Sequence, residues 1–578
     1  MAQTAREMAA AGWPWGARPV DVAAVHLVKR MGILRLAPDS DAPPIHINPW
    51  VVPILSGQIR LQKPPLPYWA AAILYRIAGV SEATSRIIPA ALGALATLLI
   101  FDLARLLYGR RVAWMASILW VTTYIVIEDY RLAMADPYLA FFTLGAVWAW
   151  VRASIISDDG TGEATQDKPG EKLRVPFIRR RTPLLMAFYA ALALGALAKG
   201  PLIFLHVAIP IVLYHLCFGA RLPKGLIGHV LGVVVFVAIA FPWPLAVLRQ
   251  VPNARTLWWY ESAGEITGEN LENVRGWWFY LMELPQLALP WVALWLFSLA
   301  YPLLRRRGRA FFPVGWYATI VLAFSFVGQK KDPYLLPMLP AEALMIAIAA
   351  VPLLRIARRR QMHGLPGAVV AAQVLIGIGW AAALPVLMWP MHRSHLAVAL
   401  LCGLTMLIAL FPLREMFAAR PVHWFAYQAG AYAAVLLVFC HLVRTPMENA
   451  RSPAPISREL LAMADGTHTA ILESKLPEEI AFYLPLHPPC GVAPSNYLVV
   501  IDDRGGVARR SINGHAPPEV KTSDFEGWVP DATLAAVRRV EMKSAPGDAR
   551  WKVYELEVKR TGFAHAWESL TPELAIGR

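Results

Sequence analysis

The chain has 578 residues, of which 57% are hydrophobic and only 16% charged, with a mean hydropathy of +0.45. Soluble domains carry about a quarter charged residues, so composition excludes an ordinary soluble globular protein. The formal net charge of +15 does not call for nucleic acid as a partner, because excess Lys and Arg in a polytopic protein marks cytoplasmic loops and anionic headgroups.

In chain order, Met1–Ala11 reads as a short Ala-rich helix and 12–49 as Pro-rich and irregular. The segment Gln62-Lys63-Pro64-Pro65-Leu66-Pro67-Tyr68-Trp69 follows. Proline disfavours helix in the residue before it and has no N–H to donate. The segment therefore reads as a stiff extended loop that holds Lys63 at the mouth of a membrane span. Lys63 is there either to meet a lipid phosphate or simply as a snorkelling interfacial lysine. About twelve apolar runs then recur, at roughly 86–107, 112–128, 134–152, 183–198, 201–217, 226–247, 279–303, 311–327, 335–354, 365–389, 396–412 and 423–443. Each is read as a membrane span.

Charge sets an expected orientation. Arg179–Arg181, Arg305–Arg307 and Arg358–Arg360 are separated by even numbers of crossings, so the positive-inside rule puts all three in the cytoplasm. Counting outward places Lys63, Asp136, Lys199, Arg275, Lys330 and Lys331 on the outer face. The same parity puts 1–62 outside with no apolar segment before it, so a first transmembrane helix is expected upstream of Met1. Ser154–Thr182 mixes both charge signs with Gly and Pro and reads as a flexible connector.

From about Thr445 the apolar runs shorten. Helices are expected at Pro455–Asp465 and Pro477–Leu484, and strands at Thr469–Glu473, Tyr497–Ile501 and Lys552–Val558. This is a small α/β domain, extracytoplasmic by parity, and its lone Cys490 leaves it without an internal disulfide. The fold class is thus an all-α polytopic membrane protein with a small C-terminal extramembrane α/β domain. The expected division is 1–85, 86–444 and 445–578.

The outer-face groups each have two readings. Asp136, directly before Pro137, is either a helix cap or a functional carboxylate at a lipid-lined cavity. Glu128 and Asp129 add charge nearby and read as interfacial. Lys199, in Ala198-Lys199-Gly200-Pro201, either anchors to headgroups or points at a phosphate. Lys330 and Lys331, in Gln329-Lys330-Lys331-Asp332-Pro333-Tyr334, depart from the positive-inside pattern. Arg249–Trp278, rich in Trp and Tyr, reads as an aromatic belt or a lid.

Together these segments carry a resemblance. Trp50-Val51-Val52-Pro53, Gly57-Gln58 and Lys63-Pro64-Pro65-Leu66-Pro67-Tyr68-Trp69 resemble the first outer loop of bacterial glycosyltransferases related to the protein O-mannosyltransferases and the lipid A aminoarabinose transferase. Ser85–Ala90, Arg131–Asp136, Ala198–Pro201, Arg275-Gly276-Trp277-Trp278 and Lys331–Pro337 follow in the family's order.

The resemblance implies a GT-C fold, the inner (plasma) membrane, and transfer of a sugar from a polyprenyl-phosphate donor to a lipid, glycan or protein acceptor on the outer face. It implies Asp136 as the catalytic carboxylate and Lys63 and Arg275 on the donor phosphate, with Lys199, Lys330 and Lys331 as further cations. Arg131, Tyr334 and Tyr68 would line the substrate pocket. Relatives also carry an acidic pair just after their first span, which here would lie upstream of Met1, and Gly16–Asn48 looks like an insertion. Some relatives have Glu before Lys-Pro-Pro and His in a later loop, suited to a metal. Here these read Gln62 and Ser262, so no cofactor or tightly bound metal is expected and metal dependence is left open. The rival readings are a glycolipid transporter, a polysaccharide ligase or polymerase, and an inactive lipid-binding relative.

Overall fold

The computed structural model describes residues 1–17, 19–22, 25–30, 33–38, 45–55, 58–156, 181–259, 275–305, 308–388, 403, 410–418, 420–440, 454–464, 469–471, 482, 496–502, 533–540 and 551–559. The chain divides into two compact units, 1–53 with 59–449, and 54–58 with 450–578.

The first unit is built of helices. α1 (Ala2–Ala10) packs on α2 (Leu66–Ala78). The long α3 (Glu82–Tyr108) follows, opened by a capping box in which Ser81 Oγ accepts from the Thr84 N–H at 3.1 Å. Next come α4 (Arg110–Val121), α5 (Tyr124–Tyr130), α6 (Asp136–Ile155), α7 (Arg181–Lys199), α8 (Leu202–Phe218), α9 (Leu226–Ala240) and α10 (Pro242–Gln250). Later helices are Phe279–Leu287, Val292–Arg305, Phe311–Ser325, Leu339–Arg359, Leu365–Met388 and Pro421–Val438.

Among the described residues six helices are long and apolar enough to cross a membrane, or eight if each of two bent pairs is one span. The protein is a multi-pass membrane protein. The helices fall where hydropathy places apolar runs, with three differences. The expected span 112–128 is bent by 61° between α4 and α5, and 279–303 is bent by 115° near Pro290. The helices at 202–218 and 311–325 have only 17 and 15 residues, short of the roughly 20 that cross a bilayer upright. The expected span 396–412 lies almost wholly outside the described residues. Exposed Leu, Val and Ile on α8 and α9 form the apolar surface that lipid would cover.

Two expectations near the N-terminus are corrected. The stretch 12–49 is not irregular: Val20–Val22 pairs antiparallel with Ile45–Ile47, and Val25–Arg30 pairs antiparallel with Ile33–Pro38. The β-branched alternation in Val-Asp-Val and Val-His-Leu-Val-Lys-Arg outweighs the flanking prolines. Nor does Lys63 open a span. The helix after it, α2, has 13 residues, with Pro65 at its N-cap and Pro67 in its first turn, and the spanning helix α3 begins at Glu82.

The second unit contains a helix, Ala454–Met463, and a four-stranded sheet. Its order is Thr469–Ile471, Asn496–Asp502, Trp551–Lys559, Thr533–Val540, with the first pair parallel and the others antiparallel. Three of these strands match expectation. Thr533–Val540 is additional, and its Arg538-Arg539 pair masks the β pattern. The expected helix 477–484 and Cys490 lie outside the described residues.

Candidate active site

Four separate segments meet at one cavity. The first is the loop before α2. Its approach is held by indole donors: Trp69 Nε1 donates to Trp50 O at 2.8 Å, Trp243 Nε1 to Val51 O at 2.7 Å, and Trp50 Nε1 to Gly12 O at 2.9 Å. Asn48 accepts the Trp50 N–H at 2.9 Å and donates its own N–H to Gln250 Oε1 at 2.8 Å. The Trp50-Val51-Val52-Pro53 motif is thus a frame, and the buried Ile59 and Leu61 seat the strand-like segment that delivers Arg60 and Lys63. The prolines then start α2, whose first turn buries Tyr68.

The second segment starts α6. Asp136 occupies the first helical position and Ala135 the N-cap, with no side-chain capping bond. The capping reading of Asp136 is therefore wrong. Its charge still lies at the positive end of the helix, where a carboxylate is favoured. The third segment ends α7. Lys199 is its last residue. Gly200, at φ +78°, supplies the left-handed turn that other residues rarely adopt, and Pro201 leads into α8. The fourth is a 3₁₀ turn, Asp332–Met338, which buries Tyr334.

These pieces close a cavity of about 250 Å³ lined by Arg60, Lys63, Tyr68, Asp136, Lys199, Lys331 and Tyr334 among others. Lys199 Nζ is ion-paired with Asp136 Oδ1, and the same ammonium lies 4.1 Å from the centroid of the Tyr334 ring, within cation–π range. Both partners of the ion pair are largely buried, with side chains 5% and 13% exposed. The lining carries four cations, Arg60, Lys63, Lys199 and Lys331, against one carboxylate. The site is chemically suited to an anion with a polar group beside it.

Of the nine residues singled out from sequence, six line this cavity: Lys63, Tyr68, Asp136, Lys199, Lys331 and Tyr334. The other three do not. Arg131 sits at the end of α5 with its Nε 3.1 Å from Glu128 Oε2. Arg275 is exposed and lies over the Phe279 ring at 4.2 Å. Lys330 is buried, and its Nζ donates to the carbonyls of Arg275 (3.0 Å) and Val327. Burial holds its ammonium below the ordinary lysine range.

Two groups escape sequence reasoning. Arg60 lines the cavity. Its signal is the alternation Ile59-Arg60-Leu61-Gln62, which puts Arg60 on the polar side of an extended segment. Asp129, which reads as interfacial, is instead 4% exposed, with Oδ2 lacking a hydrogen-bond partner among the described residues. It lies in the field of Asp136, Glu128, Asp332 and Lys199.

Comparison with known proteins follows this geometry. The family pattern described as dolichyl-phosphate-mannose-protein mannosyltransferase matches residues 43–258, a stretch that contains Lys63, Asp136 and Lys199. An undecaprenyl phosphate-alpha-4-amino-4-deoxy-L-arabinose arabinosyl transferase 2 from Pseudomonas fluorescens (strain Pf0-1) is 27% identical over 413 residues, covering 69% of each chain. A protein of the same description from Proteus mirabilis (strain HI4320) is 28% identical over 310 residues, covering 52% of this chain. This chain spans 51% of the length of the Proteus relative. Among solved structures, that of ArnT from Cupriavidus metallidurans bound to undecaprenyl phosphate superposes with a TM-score of 0.61 at 17% identity, covering 88% of this chain and 90% of that one. The fold is therefore of the same kind. Over residues 43–258 the chain is thus similar to the dolichyl-phosphate-mannose-protein mannosyltransferases, and its fold is like that of ArnT.

Proposed function

We propose that this protein transfers a sugar from a polyprenyl-phosphate donor to an acceptor on the outer face of the membrane, and that the cavity between Lys63, Asp136, Lys199 and Tyr334 is where it does so. One observation carries this reading. Four sequence-distant segments converge on one open cavity with a cationic excess and a single carboxylate. Relatives named as undecaprenyl-phosphate-sugar transferases and a fold neighbour whose structure holds undecaprenyl phosphate support the same donor class.

The chemistry follows from the residue types. The acceptor oxygen attacks the anomeric carbon as the bond from that carbon to the phosphate oxygen breaks. The electron pair leaves on the phosphate. The donor phosphodiester carries one negative charge, and the departing monoester gains a second. Lys63 and Lys331 meet that growing charge, which preorganised cations stabilise most strongly in a water-poor site. Asp136 accepts the hydrogen bond of the attacking hydroxyl and takes its proton. Lys199, held against the Tyr334 ring, pairs with Asp136 and aims it. A single displacement of this kind inverts the anomeric centre.

The test is transfer of labelled sugar from its polyprenyl phosphate by the purified full chain in proteoliposomes, together with binding of undecaprenyl phosphate. Lys63→Ala should weaken binding about 10- to 100-fold, the worth of one charge-assisted contact. Unchanged affinity and turnover in Lys63→Ala would remove the phosphate role. Movement of glycolipid between leaflets with no transfer would favour a transporter.

A further inference from the structure

We propose that Lys330 is a positioning residue for the donor phosphate. It fastens the segment carrying Lys331 to the main chain at Arg275 and so fixes the position from which Lys331 enters the cavity lining. The inference rests on the phosphate reading above and adds a part for a lysine that lies outside the cavity lining.

The link is reciprocal. From one side, Lys330 Nζ donates to the main-chain carbonyl of Arg275 at 3.0 Å and to that of Val327. From the other, Tyr280, five residues after Arg275 and fully buried, donates its hydroxyl to the main-chain carbonyl of Lys331 at 3.1 Å. The Lys331 N–H donates back to the Tyr280 oxygen at 3.3 Å. Each exposed cation is therefore held through its own backbone by a buried side chain of the opposite segment. Neither cationic head takes part in the fastening.

The choice of lysine is informative. A buried cation is costly unless its donors are used. At 3% exposure Lys330 has no carboxylate partner among the described residues and spends its donors on carbonyls. A neutral side chain would fill the space more cheaply, so a lysine placed here is explained by the carbonyls it ties together.

The experiment is a double-mutant cycle on the full chain in lipid nanodiscs, read by the Kd for undecaprenyl phosphate and by donor KM against kcat. Lys330→Met should weaken binding about tenfold, a loss typical of small misplacement of binding groups, with KM rising far more than kcat. Lys330→Arg, which still donates to both carbonyls, should restore most of the affinity. In the Lys331→Ala background Lys330→Met should cost less than twofold more, because the group it positions is gone. A full, additive tenfold loss in that background would overturn the proposal in favour of an independent contact, and wild-type Kd in Lys330→Met alone would overturn it outright. If Lys330→Met does not fold, Tyr280→Phe removes the other half of the link and should follow the same pattern, or else refute it. Failure of the phosphate reading has a separate signature. Lys63→Ala and Lys331→Ala would then each bind like wild type, and both claims would fall.

Discussion

Helix α6 carries a charged cluster at each end, and the two differ in one respect. Near its C-terminal end, Asp102 of α3 receives Arg105 through Nε (3.2 Å) and Nη2 (2.6 Å), Trp148 Nε1 at 2.9 Å, and Arg152. Both carboxylate oxygens are engaged, and Arg152 also lies over the Trp148 ring at 5.6 Å. At the N-terminal end, Asp136 has one side-chain partner among the described residues, Lys199, and borders an open cavity with three more cations. Each cluster sets cations and an aromatic ring around one aspartate. A saturated network spends its charge on holding helices together. Asp136, with a single side-chain partner among the described residues and beside open volume, is placed to meet something that arrives.

That contrast is open to attack by mutation. Asp136→Asn keeps the shape and still accepts from Lys199, so folded yield should hold while kcat falls about 100-fold or more, the worth of a positioned proton acceptor. Equal turnover at equal yield would make Asp136 merely the partner that lets Lys199 be buried. The Lys63→Ala effect on donor affinity comes next in size. Tyr334→Leu removes the ring beneath Lys199, an interaction worth about 0.5–2 kcal/mol. Donor KM should rise about 3- to 10-fold, and a fully normal KM would show that the ring does not restrain the lysine. The smallest kinetic effect belongs to the other cluster. Arg152→Met should leave kcat and KM unchanged but lower the melting temperature in detergent, because Asp102 loses one of several donors at a cost of about 1–3 kcal/mol. A kinetic defect there as large as that of Asp136→Asn would break the distinction between the two ends.

Much of the site was legible before the fold. Lys63, Asp136, Lys199, Lys331 and Tyr334 stand out because each is a charged or amphipathic residue pinned by Pro or Gly beside an apolar run, and such local signals survive without tertiary knowledge. Arg131 and Lys330 carry the same local signal and lie elsewhere, one on Glu128 and the other on main-chain carbonyls. Charge and proline show that a residue is at the mouth of the bundle but not which way its side chain turns. Asp129 shows the opposite failure. It reads as interfacial because its neighbours in sequence are polar, and it is buried because α5 is bent away from α4 and packs inward.

The sequence by itself determined the membrane class, most helix positions, the order of the motifs and the family they resemble, since hydropathy over about twenty residues and Pro/Gly punctuation are properties of short windows. The strands within 20–47, the two sharp helix bends, the 250 Å³ cavity and the pairing of Lys199 with Asp136 were decided by tertiary structure. The physical reason is separation along the chain. Asp136 and Lys199 are 63 residues apart, and no local preference encodes their meeting. Packing of α6 against α7, with the tight Gly200 turn at its end, brings two ordinary charges together and leaves room beside them.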